Sequence, residues 1–323
     1  MAKVNTVLGP VTPDELGVTL IHEHLVFSYL GWECDALAPP YDRDAAATAC
    51  IEALTEAKGH GLRTLVDATG TDMGRDVELQ KIVSEKLGIN IICSTGFYTE
   101  KYGKAGYFKF RSMNYDIVGE LFETLVKEIT KGIGNTGVKA GVIKVSTGHA
   151  RISSYEEKVL RAAARAQQET GVPIITHTEA GTMGPEQADL LVSEGADPER
   201  IVIGHMCGNS DLNYHVSVLG KGVNIAFDRL GINVLFPDEL RKACLLGLIG
   251  IGYGDKIFLS QDCWAFRLGR PFEFADEVKP LLADWKYDHV FNNIIPALKQ
   301  AGVSEDKING LMVENPRRLF GGG

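Results

Sequence analysis

His22 and His24 flank Glu23 directly after the apolar run Val18-Thr19-Leu20-Ile21. On an extended strand, residues two apart project to the same side, so the two imidazoles share a side and Glu23 faces away. Adjacent imidazoles suit a divalent transition metal, and a purely structural histidine pair is the competing reading. Further ligand types recur in the same context: His177 ends Ile174-Ile175-Thr176, His205 ends Ile203-Gly204, and Asp262 follows Leu259-Ser260-Gln261. Any one of these alone reads as a core histidine or a helix-capping aspartate. Their recurrence at the ends of apolar runs points to one shared site. Lys144 ends Gly141-Val142-Ile143 and would set an ammonium in apolar surroundings. It reads either as a lysine salt-bridged at a rim or as one carbamylated by carbon dioxide, whose anion can bridge two cations. Nitrogen donors from histidine with oxygen from Lys144 and Asp262 favour zinc, cobalt, manganese or iron over calcium or magnesium. His60, His215 and His289 fall in helical or loop stretches and read as solvated, whereas His149, just past a strand, reads as a supporting residue.

The elements that must position these groups follow from periodicity. Eight short apolar runs read as strands: 18–21, 63–66, 90–93, 140–143, 172–175, 201–203, 223–226 and 256–259. Helix-like stretches lie between many of them, including 44–58, 115–131, 154–169, 185–193 and 237–247, several opened by Asp, Ser or Pro at cap positions. Strands alternating with helices imply a parallel sheet, and eight such units favour a (β/α)8 TIM barrel over an open doubly wound sheet. The first strand leads to His-Glu-His, not to a glycine-rich phosphate turn, which weakens the open-sheet alternative further. In such a barrel, sites assemble at the C-terminal ends of strands, where these candidate ligands fall. No repeat or linker divides the chain, so residues 1–323 read as a single domain, with Gly321-Gly322-Gly323 as a loose tail. Leu8-Gly9-Pro10-Val11 reads as a turn joining two short strands.

Composition excludes several partner classes. A net charge of -9 without basic runs argues against nucleic acid and anionic membranes, leaving a small neutral or weakly polar substrate. Met1-Ala2-Lys3-Val4-Asn5 has no signal-peptide character, and no apolar stretch reaches bilayer length, so a cytoplasmic location is expected. The six cysteines form no Cys-x-x-Cys pair and read as reduced thiols.

Several segments resemble the phosphotriesterase family of the amidohydrolase superfamily, and most closely its phosphotriesterase-like lactonases. They are Thr19-Leu20-Ile21-His22-Glu23-His24, Lys139-Ala140-Gly141-Val142-Ile143-Lys144, Ile175-Thr176-His177-Thr178, Thr182-Met183-Gly184-Pro185-Glu186-Gln187 and Ile203-Gly204-His205-Met206-Cys207-Gly208. Phe227-Asp228-Arg229, Leu268-Gly269-Arg270-Pro271-Phe272, Asn293-Ile294-Ile295-Pro296-Ala297-Leu298 and Glu314-Asn315-Pro316 extend the likeness almost end to end. The resemblance implies two divalent ions, with His22, His24 and Asp262 on one, His177 and His205 on the other, and carbamylated Lys144 as the bridge. It also implies a bridging hydroxide as nucleophile, Asp262 as proton acceptor, and lactone, ester or phosphotriester substrates. A homodimer is the expected assembly.

Tyr98, Arg229 and Trp264 are the expected substrate contacts, with Cys263 and Phe266 beside them; the plain alternatives are that Tyr98 only packs at the barrel rim, Arg229 only holds Asp228, and the aromatics only anchor their loop. Asn209, Asp228 and Gln261 are expected to support the site from behind. True phosphotriesterases carry a His after the seventh strand and an Asp after the sixth, which relay a proton to solvent. Here Arg229 and Asn209 stand near those places, and neither changes charge at neutral pH. The expectation is therefore a lactonase with promiscuous phosphotriesterase activity. A dedicated phosphotriester or other ester hydrolase, or a non-catalytic metal-binding barrel, are the alternatives.

Overall fold

The structure is a computed structural model that describes residues 3–322. Met1, Ala2 and Gly323 lie outside the described residues; of the expected glycine tail, Gly321 instead closes the last helix.

Two short strands, β1 (Val4–Thr6) and β2 (Gly9–Val11), form the antiparallel pair expected around Leu8 to Val11. The main sheet comprises β3 (Thr19–Phe27), β4 (Thr64–Asp67), β5 (Asn90–Gly96), β6 (Val142–Thr147), β7 (Ile174–Thr178), β8 (Ile201–Ile203), β9 (Asn224–Phe227), β10 (Ile257–Leu259) and β11 (Trp264–Arg267). Strands β3 to β10 lie side by side in chain order, all parallel. All eight expected runs fall on strands whose starts differ from expectation by at most two residues, although β3 continues six residues beyond its expected end. The ninth, β11, was not expected. It covers the upper edge of the long β3, with Trp264 opposite His24, where a bare strand edge would otherwise remain.

Helices α1 (Arg43–Gly59), α2 (Val77–Leu87), α3 (Ala105–Arg111), α4 (Ile117–Thr130), α5 (Ser154–Thr170), α6 (Gly184–Ser193), α7 (Leu212–Leu219) and α8 (Asp238–Gly250) make the crossovers. Their boundaries follow local chemistry. Asp42 accepts from the Ala45 amide at the start of α1, and a Ser153/Glu156 capping box opens α5. Helix α5 stops at Gly171, whose φ of 72° is the left-handed cap. Ile117, Leu121, Leu125 and Ile129, four residues apart, form the buried stripe of α4.

Inside the curl, each parallel strand contributes one residue to a common apolar layer: Ile21, Val66, Ile92, Val142, Ile175, Val202, Ala226 and Phe258, closed below by Val4, Leu16, Leu319 and Phe320. Because strand side chains alternate, residues two further on face the same interior. Lys144, His177 and Asp228 therefore stand directly above Val142, Ile175 and Ala226. On β3 the register shifts between Leu20 and Glu23, which lets Ile21 join the layer while His22 and His24 both rise into the space above it.

The two ends of the curled sheet are tied by other means than a regular ladder. The His22 amide donates to Ser260 Oγ (3.0 Å), the Asp262 amide to the His22 carbonyl (3.2 Å), and the His24 amide to the Cys263 carbonyl (2.8 Å).

Gly96, paired with Lys144 in the β5–β6 register, has φ of 127°, and a Cβ there would collide with the Lys144 carbonyl oxygen. Gly96→Ala should therefore destabilise the fold by at least about 3 kcal/mol, since strain and a backbone clash add. Thermal unfolding checks this; an unchanged midpoint would contradict the close approach.

Candidate active site

Strand ends bring His22, His24, Lys144, His177, His205, Asp228 and Asp262 to one buried floor. Asp228, fully buried, organises two of the imidazoles. Its Oδ2 accepts from His22 Nδ1 (2.7 Å), and its Oδ1 accepts from the His205 amide (2.7 Å) and lies 3.0 Å from His205 Nδ1. Both rings thus present Nε2 to the centre, an orientation that a carboxylate behind a ligand imidazole enforces. His24 Nε2 lies 3.0 Å from Asp262 Oδ1, and its Nδ1 is 2.8 Å from Thr69 Oγ1. The His177 ring stands edge-on to His205 with centroids 4.5 Å apart, and its Nε2 is 3.2 Å from Glu179 Oε2.

Asp262 and His205 both have positive φ, 55° and 58°. Such backbone is sparsely populated for residues other than glycine and persists only where neighbours hold it. For Asp262 the neighbour is Glu23. Its buried carboxylate faces away from the floor, as expected, and accepts from Ser260 Oγ (2.7 Å) and from the amides of Gln261 (2.8 Å) and Cys263 (2.8 Å). Arg229 Nε donates to Asp262 Oδ2 (2.9 Å), so the guanidinium grips Asp262 and not Asp228.

The charges follow from this packing. Burial lowers His22 and His177 to about 4, helped at His22 by Lys144, and lowers His205 well below the usual imidazole range. All three rings are neutral near pH 7 and offer lone pairs. Burial also lowers the Lys144 amine to about 8, against the pull of Asp262 and Asp228. Burial alone would raise Asp262, but His205, Arg229 and the contact with His24 hold it well below the usual carboxylate range.

The donor set fits a metal. His205 Nε2 is buried without a hydrogen-bond partner among the described residues, and one atom each from His22, His205 and Asp262 lie within 4.8 Å of one another. Lys144 Nζ donates to His22 Nε2 at 2.8 Å, and among the described residues it has no carboxylate partner to answer the salt-bridge reading.

Above the floor is a cavity of about 230 Å³ with apolar walls that include Phe27, Tyr29, Met73, Tyr98, Ile232, Leu235, Trp264 and Trp285. Tyr98 and Trp264 line it as expected. Cys263 is buried outside it, and Phe266 packs towards Tyr41 instead. Asn209 is not brought to Asp262 or Arg229: its side-chain oxygen accepts from the Asp211 amide (2.8 Å) in a local turn. Gln261 supports from behind, donating to the Tyr287 carbonyl (3.0 Å).

Two of the histidines read as solvated are not. His215 is buried and its Nε2 is 2.9 Å from the Met206 carbonyl; His289 is buried against Asp238 at 2.7 Å. Helical periodicity marks a face as polar or apolar but cannot reveal a single buried partner. His60 and His149 are exposed, and His149 does not reach the floor. Residues missed by the sequence reading include Asp72, whose carboxylate accepts from the Tyr98 and Lys104 amides (both 2.9 Å), and Glu179, whose placement two residues after His177 was the available signal.

The neutral buried imidazoles carry a pH prediction for chelator-treated protein. Between about pH 6.5 and about 4, His22 and His177 bind protons in the unfolded chain but not in the folded one. Stability should therefore fall as pH drops through that window, read as a falling unfolding midpoint. A flat midpoint from pH 7 to pH 5 would rule out buried neutral rings.

The sequence pattern of the phosphotriesterase family matches residues 2–320. An aryldialkylphosphatase from Saccharolobus solfataricus is 36% identical over 316 residues, covering 96% of this chain and 96% of that protein. A phospho-furanose lactonase from Mycoplasmopsis synoviae is 31% identical over 334 residues, covering 98% and 90%. The solved structure of an organophosphorus hydrolase from Deinococcus radiodurans superposes with a TM-score of 0.97 at 45% identity, covering 99% of this chain and 97% of that one. Matched in sequence over nearly its whole length and in backbone by an organophosphorus hydrolase, the chain belongs to the phosphotriesterase family.

Proposed function

We propose that this protein is a metal-dependent hydrolase that opens lactone rings, with slower, promiscuous turnover of phosphotriesters. The observation that carries this reading is a floor on which burial keeps His22, His177 and His205 neutral beside the ionised Asp262, beneath an apolar cavity whose guanidinium, Arg229, is already engaged by Asp262. In this reading the curled sheet is a closed (β/α)8 barrel forming a single domain. His22, His24 and Asp262 would hold one divalent transition ion and His177 and His205 the other, with carbamylated Lys144 as a further oxygen donor. Zinc suits this donor set best, with cobalt, manganese or iron as substitutes. An amine lowered to about 8 is partly neutral near pH 7 and able to attack carbon dioxide.

Two such ions supply acidified water and a Lewis acid for the substrate oxygen. The chain's own residues do the rest. Arg229 keeps Asp262 ionised, so Asp262 accepts a proton from the attacking water as its oxygen bonds to the carbonyl carbon. When the ring C–O bond breaks, Asp262 returns that proton to the departing alkoxide, giving the hydroxy acid. The alkoxide is strongly basic and stays tethered, so no relay to solvent is needed. An aryl phosphotriester releases a weakly basic phenolate, and the proton must then leave by another route. Neither Arg229, gripping Asp262, nor Asn209, turned to Asp211, offers one.

The walls choose the substrate. Carbamylated Lys144 carries no positive charge, and Arg229, the other basic side chain lining the cavity, is engaged by Asp262, so among the described residues the walls offer a phosphorylated lactone no free basic side chain. A neutral lactone with an apolar substituent fits these walls. Tyr98, buried beside His177 with ring centroids 5.0 Å apart, and Trp264 contact it. The free cysteines agree with a cytoplasmic setting. A second copy of the chain is the partner we assign to the exposed Tyr107, Phe110, Met113 and Tyr115 around α3.

Elemental analysis of active protein should find about two transition ions per chain. Lys144→Ala should lose metal and cut activity at least about a hundredfold, with partial rescue by short carboxylic acids. Full activity in Lys144→Ala would end the bridging role. Specificity constants for lactones should exceed those for aryl phosphotriesters, and Tyr98→Phe should lower lactone turnover roughly tenfold with a smaller effect on phosphotriesters. Equal losses on both would leave Tyr98 as packing.

A further inference from the structure

The cavity's apolar walls come from two long loops. One is 229–237, between β9 and α8, which carries Ile232 and Leu235; the other is 268–289, after β11, which carries Leu282 and Trp285. Loops of such length hold one shape only where their backbone polar groups find fixed partners. Here the partners converge on one buried cluster of Asp238, Arg241 and His289, which are 7%, 1% and 4% exposed.

Asp238 is the hub. Its two carboxylate oxygens accept from the Gly231 amide (3.1 and 2.9 Å), from Arg241 Nη1 (2.7 Å) and from His289 Nε2 (2.7 Å). Arg241 Nη2 reaches back to the Ile232 carbonyl (3.1 Å), and the Asp238 amide donates to Asn233 Oδ1 (2.8 Å). Asn293 Nδ2 donates to His289 Nδ1 (2.9 Å), orienting the ring so that Nε2 meets Asp238. The first loop is thus fastened to α8, and His289 fastens the end of the second loop to the same carboxylate. The loops also touch directly: the Asn233 amide donates to the Leu281 carbonyl (3.1 Å), and a Cβ on Gly231 would meet the Asp284 carbonyl at 2.5 Å.

A buried ionic cluster is a poor route to stability, because desolvation offsets much of its attraction and an apolar replacement is often no worse. What it does supply is a single arrangement, since any displacement strands a buried charge. No member of the cluster hydrogen-bonds to the histidines of the floor. From this geometry we infer that His289 and Asp238 are specificity-determining positioning residues: their hydrogen bond locks the two cavity walls together and sets the gap that the substrate's apolar substituent must enter. The identity of that substrate rests on the lactonase reading; the coupling of the walls does not.

The test compares wild type, His289→Leu and His289→Gln, each loaded with metal, on lactones of one ring size bearing short or long alkyl chains. Amide hydrogen exchange at Gly231 and Asn233 is followed in parallel. In His289→Leu, KM for the long-chain lactone should rise about tenfold while kcat stays within about twofold and the short-chain KM changes little. Exchange at both amides should quicken. His289→Gln, whose Nε2 still donates to Asp238, should restore both readouts. If wild type turns over lactones but KM in His289→Leu is unchanged for both chain lengths, or if the glutamine fails to rescue, the inference is overturned. If wild type opens no lactone, the functional reading fails, and exchange still decides the coupling: faster in leucine and restored in glutamine supports it, unchanged rates overturn it. Should His289→Leu not fold, Asp238→Asn takes its place under the same readouts.

Discussion

The carboxylate of Glu23 joins the beginning of the curled sheet to its end. Three donors from residues 260, 261 and 263 converge on it, on either side of Asp262. Burial pushes this carboxyl well up, and the three donors pull the other way. A group so costly to bury stays in place because it answers amides that no strand pairing satisfies, where β3 and the end of β10 meet without a regular ladder. It also holds Asp262 in its left-handed backbone, with the side chain directed to the floor.

The electrostatics of the floor follow from that placement. Four imidazoles and an amine gathered on an apolar layer would repel one another if protonated, so burial drives His22, His177 and His205 neutral and lowers Lys144 to about 8. Asp262 stays charged because Arg229 lies against it. The result is a buried set of lone pairs, with one nitrogen on His205 left without a partner among the described residues, arranged around the ionised Asp262. Such a set is poorly satisfied by protein alone and well suited to divalent cations.

Floor and walls come from different parts of the chain. Strand ends hold the floor groups rigidly, whereas loops wall the cavity. The second wall is also tied to the floor: Trp285 Nε1 donates to the Gln261 carbonyl (3.0 Å) and Tyr287 to the His24 carbonyl (2.6 Å). Wall and floor are therefore hydrogen-bonded together at that side of the pocket.

By itself, the sequence determined the strands and the residues at their ends. Short β-branched runs, bounded by turn residues, are local signals, and strand alternation carries Lys144, His177 and Asp228 from the apolar layer to the floor by simple parity. His22 and His24 were legible as a pair on one side, although the register shift that lets Ile21 stay in the layer beneath them was not. Tertiary structure alone decided the rest. Arg229 turns to Asp262 and not to Asp228, Asn209 turns away into a local turn, β11 covers the exposed edge of β3, and His215 and His289 are buried. Each depends on partners distant in sequence, and periodicity reports only which face of an element is apolar. Whether a single polar side chain on that element finds a buried partner is set by contacts between loops, such as the one between His289 and Asp238, 51 residues apart.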